Sequence, residues 1–337
     1  MSSSNLSSSY SPWPHRWAVV LCCAVFPLIW VGALVTTYDA GMAVPDWPGT
    51  YGYNMFLYPW QTWVFGPFDL FVEHGHRLLG SLAGLLTIVL VVSCFVTRRA
   101  RSIKQLAIAT LLAVIAQGVL GGARVLLDAR LVAMLHGCTG PAYFALCAAV
   151  AVVTSRRWDE MNTNAATADR GLLLSTLVTV ILAYVQLVFG ALLRHVPVEA
   201  SPGFFRVAVL FHVFTALLIA IQISALAWRI LGNKQTSILL TRPALALAAL
   251  VGVQLLLGMG TWVMKYSFPQ QLAAFDFAAG YTVIANGLWA SLVTTAHVAV
   301  GSLILATSTV LAVRTAGLTK GLAVKAPYEF TSRGLAL

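Results

Sequence analysis

Eight stretches of about 20 mostly apolar residues leave this chain few ways to fold: roughly 17–38, 73–96, 104–126, 131–154, 171–193, 207–230, 243–264 and 290–313. About 20 such residues carry a helix across the hydrocarbon core, and a helix satisfies its own backbone polar groups on the way. Charged residues make up only 9% of the 337, against about 25% in a soluble domain. The short alternating segments of about 10 residues that a membrane barrel requires are not seen. The expectation is an all-α polytopic membrane protein with eight transmembrane helices.

The net charge of +10 is not a nucleic-acid signal, because its distribution follows the spans. Arg16 precedes the first span. Arg98, Arg99, Arg101 and Lys104 separate the second from the third. Arg156, Arg157 and Arg170 separate the fourth from the fifth, and Arg229, Lys234 and Arg242 the sixth from the seventh. Arg314, Lys320, Lys325 and Arg333 follow the eighth. These are 15 of the 21 Lys and Arg residues, all on one side. The positive-inside rule makes that side cytoplasmic and puts both termini there. Arg77, Arg124, Arg130, Arg194, Arg206 and Lys265 fall on the other side. The Ser-rich start from Ser2 to Ser11 is too short and too poor in Arg for a transit peptide. The first span is therefore read as retained, and the location as a bacterial inner (plasma) membrane with lipids around the chain. Cys22, Cys23, Cys94, Cys138 and Cys147 all fall in spans, where small buried hydrophobes are the expectation.

A small-residue motif recurs in the odd-numbered spans. It reads Gln117 to Gly121 in span three, Gln186 to Gly190 in span five and Gln254 to Gly258 in span seven. Span one has Gly32 with Leu28 in the Gln position. Glycine lets helices approach closely, and a buried amide hydrogen-bonds across them. The repeat predicts two duplicated four-helix bundles, residues 1–160 and 161–337, joined through the polar stretch from Ser155 to Arg170. Long loops are expected on the outer side at 39–72, 194–206 and 265–289.

Of seven histidines, His15 and His195 read as solvated. His74 and His76 begin span two, His136 span four and His212 span six, and His297 is early in span eight. Residues 76, 136, 212 and 297 therefore share one depth, ~5–10 Å below the outer helix ends at 1.5 Å per residue, two in each half. Two imidazoles facing each other are the axial ligand set of a heme iron, and ionisable groups in a membrane are functional candidates by default. Glu73 lies three residues before His76, on one helix face with it. A carboxylate there can orient a ligand or act in proton transfer. Arg77 has the geometry to pair with a heme propionate.

These residues resemble the heme A synthase family. The Glu-x-x-His-Arg motif stands as Glu73, His76 and Arg77. One histidine follows in each later even span: Leu135-His136-Gly137, Phe211-His212-Val213 and Ala296-His297-Val298. The first loop, Gly41 to Pro48, is also similar, and the likeness runs over about 17–313. It implies oxidation of the C8 methyl of heme O, the substrate, to the formyl group of heme A. It also implies a heme b cofactor between His212 and His297, with substrate between His76 and His136 and with Glu73 as the catalytic acid. Implied partners are a heme O synthase (a farnesyltransferase) and oxidase assembly factors. The chain departs from the family pattern in lacking a cysteine pair in the first loop, and in carrying Val213 where an Arg often follows the histidine. An alternative use of the same histidines is a diheme b-type membrane electron-transfer cytochrome, and a third is a heme transporter or chaperone.

Overall fold

The computed structural model describes residues 10–163, 168–197, 199–233, 236–272, 274–284 and 287–319. Ser2 to Ser9, residues 164–167 of the polar join, Lys234, Lys320, Lys325 and Arg333, which the sequence reading used, lie outside the described residues. Eight long helices carry the fold: α1 (Trp13–Thr37), α2 (Phe68–Val96), α3 (Arg101–Leu126), α4 (Arg130–Val153), α5 (Arg170–Arg194), α6 (Pro202–Leu231), α7 (Ile238–Tyr266) and α8 (Leu288–Leu318). All eight are long and apolar enough to cross a bilayer, and the chain is an integral membrane protein.

Their ends follow local chemistry. Asp169 caps α5 by accepting from the Leu172 amide at 2.8 Å, and Ser201 caps α6 by accepting from Phe204 at 3.2 Å, with Pro202 in the first turn. Both satisfy backbone donors that a helix start leaves open. The helices begin a few residues before the apolar stretches read from sequence, α2 at Phe68 and α6 at Pro202 for example. The histidines consequently lie deeper than the sequence suggests. His76 is 8 residues beyond Phe68, His136 is 6 beyond Arg130, His212 is 10 beyond Pro202 and His297 is 9 beyond Leu288, or roughly 9–15 Å into their helices.

Packing runs in two rings. Helix α1 contacts α2, α2 contacts α3, α3 contacts α4, and α4 returns to α1. The same order holds through α5, α6, α7 and α8. Helices α4 and α8 meet in the middle. The apolar windows of these two are 56% and 44% buried, against 17–28% for the other six. The central pair therefore packs against protein, and the other six helices turn most of their surface outward. One apolar cluster gathers Leu21, Val25, Leu90, Phe144 and Cys147, and a second gathers Ile223, Ile230, Leu247 and Leu311.

The loop between α1 and α2 is folded on itself. Thr50 and Tyr53 exchange two backbone hydrogen bonds of 3.0 Å across Tyr51 and Gly52, whose φ angles of 50° and 79° make the left-handed pair of a tight hairpin turn. The Asp46 carboxylate accepts from the Tyr51 and Gly52 amides at 2.8 and 2.9 Å and holds this turn. Burial alone would raise the Asp46 carboxyl, but those two amides and the Arg77 charge outweigh it and hold it below its ordinary value.

Candidate functional site

Each even-numbered helix brings one half-buried histidine toward the loop-bearing end, and the four meet as two pairs. The ring centres of His76 and His136 are 6.3 Å apart with planes at 89°. Those of His212 and His297 are also 6.3 Å apart, at 73°. An imidazole nitrogen binds a metal at about 2.0 Å and lies about 1.1 Å from its ring centre, so two rings on opposite sides of one metal are about 6.2 Å apart. Both pairs have that span. Among the described residues, no three His, Cys, Asp or Glu side chains converge on a point. Two donors per site suit a metal whose other ligands come from a macrocycle.

The odd-numbered helices seat the rings. A Cβ on Gly32 would lie 2.7 Å from Cε1 of His76, one on Gly121 3.1 Å from His136, one on Gly190 3.3 Å from His212, and one on Gly258 3.1 Å from His297. Each histidine lies against bare backbone, and any side chain at these four positions would push it away. Beside each ring is also the carbonyl four residues before the glycine: Leu28, Gln117, Gln186 and Gln254. The approach is short of full hydrogen-bond geometry at three rings, where Nδ1 of His76, His136 and His297 is buried without a partner. A metal-ligating histidine typically directs its second ring nitrogen at such a carbonyl, which leaves the other nitrogen for the metal. The four-residue spacing in the odd spans, read from sequence as helix packing, is thus the seat of the histidines.

The amides of the motif differ in their use. Gln117 donates to the Thr139 hydroxyl at 2.8 Å. Gln186 places Nε2 at 3.2 and 3.3 Å from the two ring nitrogens of His212, and its Oε1 accepts from the Thr215 hydroxyl. Gln254 packs against Gly301.

The surroundings of the two pairs are not alike. Beside the first, Glu73 is 2% exposed. Its Oε1 accepts from Arg77 at 2.9 Å and is 3.9 Å from Arg124, and its Oε2 accepts from the Val44 amide at 3.1 Å. Arg77 donates further to the carbonyls of Asp46 at 2.6 Å, Gly49 at 2.9 Å and Val44 at 2.7 Å. Arg124 reaches the Gly41 carbonyl at 2.6 Å, and the Trp47 ring packs on Gly122, next to the seat of His136. Arg77 is thus bonded through Nη1 and Nη2 to the loop and to Glu73, contacts that the sequence reading, which gave it a propionate partner, did not foresee.

The remaining histidines also have structural partners. His74 bonds the Thr50 hydroxyl at 3.1 Å and packs against Tyr58 and Trp63, so it anchors the same loop. His15 contacts the Ala151 carbonyl at 2.8 Å. His195 contacts that of Ala191 at 2.9 Å and lies near Gly137, the neighbour of His136. Burial pushes His195 below its ordinary value, and the Arg194, Arg124 and Arg130 charges add to this. The expectation of solvated rings at His15 and His195 missed these contacts: the partner of His15 is distant in sequence, and that of His195 is a backbone carbonyl one turn back in its own helix, which no side chain marks. All five cysteines are free thiols.

The sequence profile of the COX15-CtaA family, described as cytochrome oxidase assembly proteins, matches residues 15–279. That range takes in three of the four paired histidines and ends before His297. No curated protein matches the chain.

Proposed function

The chain belongs to the family of cytochrome oxidase assembly proteins, and we propose that it serves there as a heme A synthase, oxidising the C8 methyl group of heme O to the formyl group of heme A. In this reading α1–α4 form the substrate half and α5–α8 the cofactor half, two copies of one four-helix unit, with the boundary near residue 160. The observation that carries it is the asymmetry around two matched histidine pairs. Both pairs span 6.3 Å, yet the acid–arginine cluster of Glu73, Arg77 and Arg124 stands beside the first alone among the described residues.

Each residue then has a task. His76 and His136 hold the substrate by its iron. Glu73, one helical turn before His76, is the group able to take or give a proton near the reacting carbon. Arg77 and Arg124 fix that carboxylate against the loop, and Trp47 and the loop keep water from the first pair. His212 and His297 hold heme b, which supplies one-electron redox chemistry when bound. Gln186 and Thr215 orient His212. Heme O would come from a heme O synthase, and the product would pass to oxidase assembly factors. The basic ends of the helices support a bacterial inner membrane orientation with both termini in the cytoplasm and the histidine end outside.

Pigment analysis of the protein coexpressed with a heme O source tests this. Heme b together with heme O, its hydroxylated form or heme A is the expected result. A second reading, the diheme electron-transfer cytochrome, draws on the equal spans of the two pairs. It predicts heme b alone despite abundant heme O. No heme at all would refute both.

A further inference from the structure

The second site lacks a cation where the first half of the chain has one. Arg77 follows His76, but Val213 follows His212. A porphyrin brings ring carboxylates, and a carboxylate in a low-dielectric site needs a cation beside it. One guanidinium near the second pair has no acid of its own among the described residues. Arg194 is four residues beyond Gly190, the seat of His212, so the two share a face of α5 one turn apart. Its Nη2 donates to the Ala33 carbonyl at 3.1 Å and to the Thr37 hydroxyl at 2.8 Å, both on α1. The Thr37 oxygen lies 3.5 Å from that of Thr295, two residues before His297 on α8. Among the described residues no carboxylate pairs with Arg194. Its hydrogen bonds there run through Nη2, which leaves Nη1 and Nε to donate elsewhere.

We propose that Arg194 is the carboxylate-binding centre of the second site and takes a ring propionate of the heme held between His212 and His297. The cation comes from the helix that seats the ring instead of from the helix that carries it. A guanidinium is suited to this, since it offers a fork of donors and stays charged when buried. In the first half the equivalent of Arg194 would be Thr36, counted from Gly32, so the arrangement belongs to one site. This inference rests on the second half holding a heme.

The test uses the full-length chain carrying His76→Ala and His136→Ala, so that one site remains. It is reconstituted with iron protoporphyrin IX and, separately, with the dimethyl ester, which has no free carboxylate. The expected result is tighter binding of the acid than of the ester by on the order of tenfold or more. Arg194→Gln reduces that preference toward unity and lowers the midpoint potential of the bound heme, because removing a positive charge favours the ferric state. Arg194→Lys retains most of the preference. A strut that merely joins α5 to α1 would leave both preference and potential unchanged in Arg194→Gln, and that result overturns the proposal. If Arg194→Gln does not fold, the comparison of acid and ester in the parent His76→Ala, His136→Ala protein carries the test, and an acid-to-ester ratio near unity refutes the carboxylate site. Binding of neither porphyrin by the His76→Ala, His136→Ala protein would overturn the heme assignment itself.

Discussion

Replacing Gly32 by Ala should cost the first site its His76 ligand. The new Cβ would stand 2.7 Å from Cε1 of His76. Carbon atoms rest at about 3.5–4.0 Å, so the ring or helix α1 must yield by about 1 Å. Metal–ligand distances tolerate about 0.2 Å, and a shift several times larger breaks a bond that the wild-type geometry allows. The neighbour cannot give easily, because α1 and α2 are among the most closely packed helices in the chain. Overpacking of this kind costs about 1–3 kcal/mol. The same reasoning grades the other seats. At 3.1 Å, Gly121→Ala and Gly258→Ala should displace their rings by about half as much. At 3.3 Å, Gly190→Ala should be the mildest. Gly118→Ala and Gly252→Ala are the controls, since a Cβ at either position has nothing within 4 Å.

Electron paramagnetic resonance and reduced-minus-oxidised spectra of the purified variants read this directly. A histidine lost from the iron turns a low-spin, six-coordinate signal into a high-spin one. The expected order of loss is Gly32, then Gly121 and Gly258, then Gly190, with the controls unchanged. A Gly32→Ala protein with full low-spin signals from both sites would show that the glycines do not seat the ligands. Equal loss in the controls would mean that any added methyl in these helices disturbs the fold.

Three further outcomes are expected. Glu73→Gln keeps the size of the side chain and removes its charge; conversion of heme O should fall on the order of 100-fold while heme b content persists, as measured by chromatography, and undiminished conversion would remove Glu73 from the chemistry. Gln186→Leu takes away the amide beside His212, so heme b retention should weaken on the order of 10-fold; titration with heme is the check. The Asp46 carboxyl is held below its ordinary value by the Tyr51 and Gly52 amides and Arg77, against the opposing effect of burial; a depressed folded value stabilises the loop above the unfolded value of about 3.9, and that contribution is lost as pH falls through the folded one. Trp47 fluorescence should therefore report loosening of the loop at acid pH, and Asp46→Asn should show the loosened signal already at neutral pH with no acid transition.

The spans were legible because bilayer thickness and backbone satisfaction leave a helix no choice, and all eight sequence stretches match helices α1–α8. The four histidines were legible because one ionisable side chain per alternate span, at like depth, has no easy apolar explanation. Three things were not. The role of Gly32, Gly121, Gly190 and Gly258 depends on which helix faces which, and the motif gives spacing without partners. The contacts of Arg77 and Arg124 with the carbonyls of Asp46, Gly49, Val44 and Gly41 involve backbone atoms that every residue possesses, so no sequence signal marks them. Arg194 reads in sequence as one basic residue near a helix end, and its bonds to α1, with no acid partner among the described residues, are visible only once α1, α5 and α8 are brought together.

The two histidine pairs have the same span, so the ligands themselves give no reason for one site to react and the other to transfer electrons. Any difference must come from what surrounds them. Beside the first pair stands a carboxylate pinned by two guanidiniums and a backbone amide, under a loop whose residues 47–67 carry no charge. Beside the second stand an amide and a hydroxyl, Gln186 and Thr215. Oxidising a methyl group removes protons as well as electrons, and a carboxylate can accept a proton where an amide cannot. Electron transfer asks for no proton acceptor, only for a ligand set that changes little between oxidation states. An amide network fixed to one ring and a cation fixed by α1 meet that need. The proposed division of labour thus rests on acid against amide, and Gln186→Glu is its sharpest probe. If a carboxylate beside a matched histidine pair is enough for reaction, this variant should begin to modify its own heme. If the clamped loop is also required, it should only shift the midpoint potential.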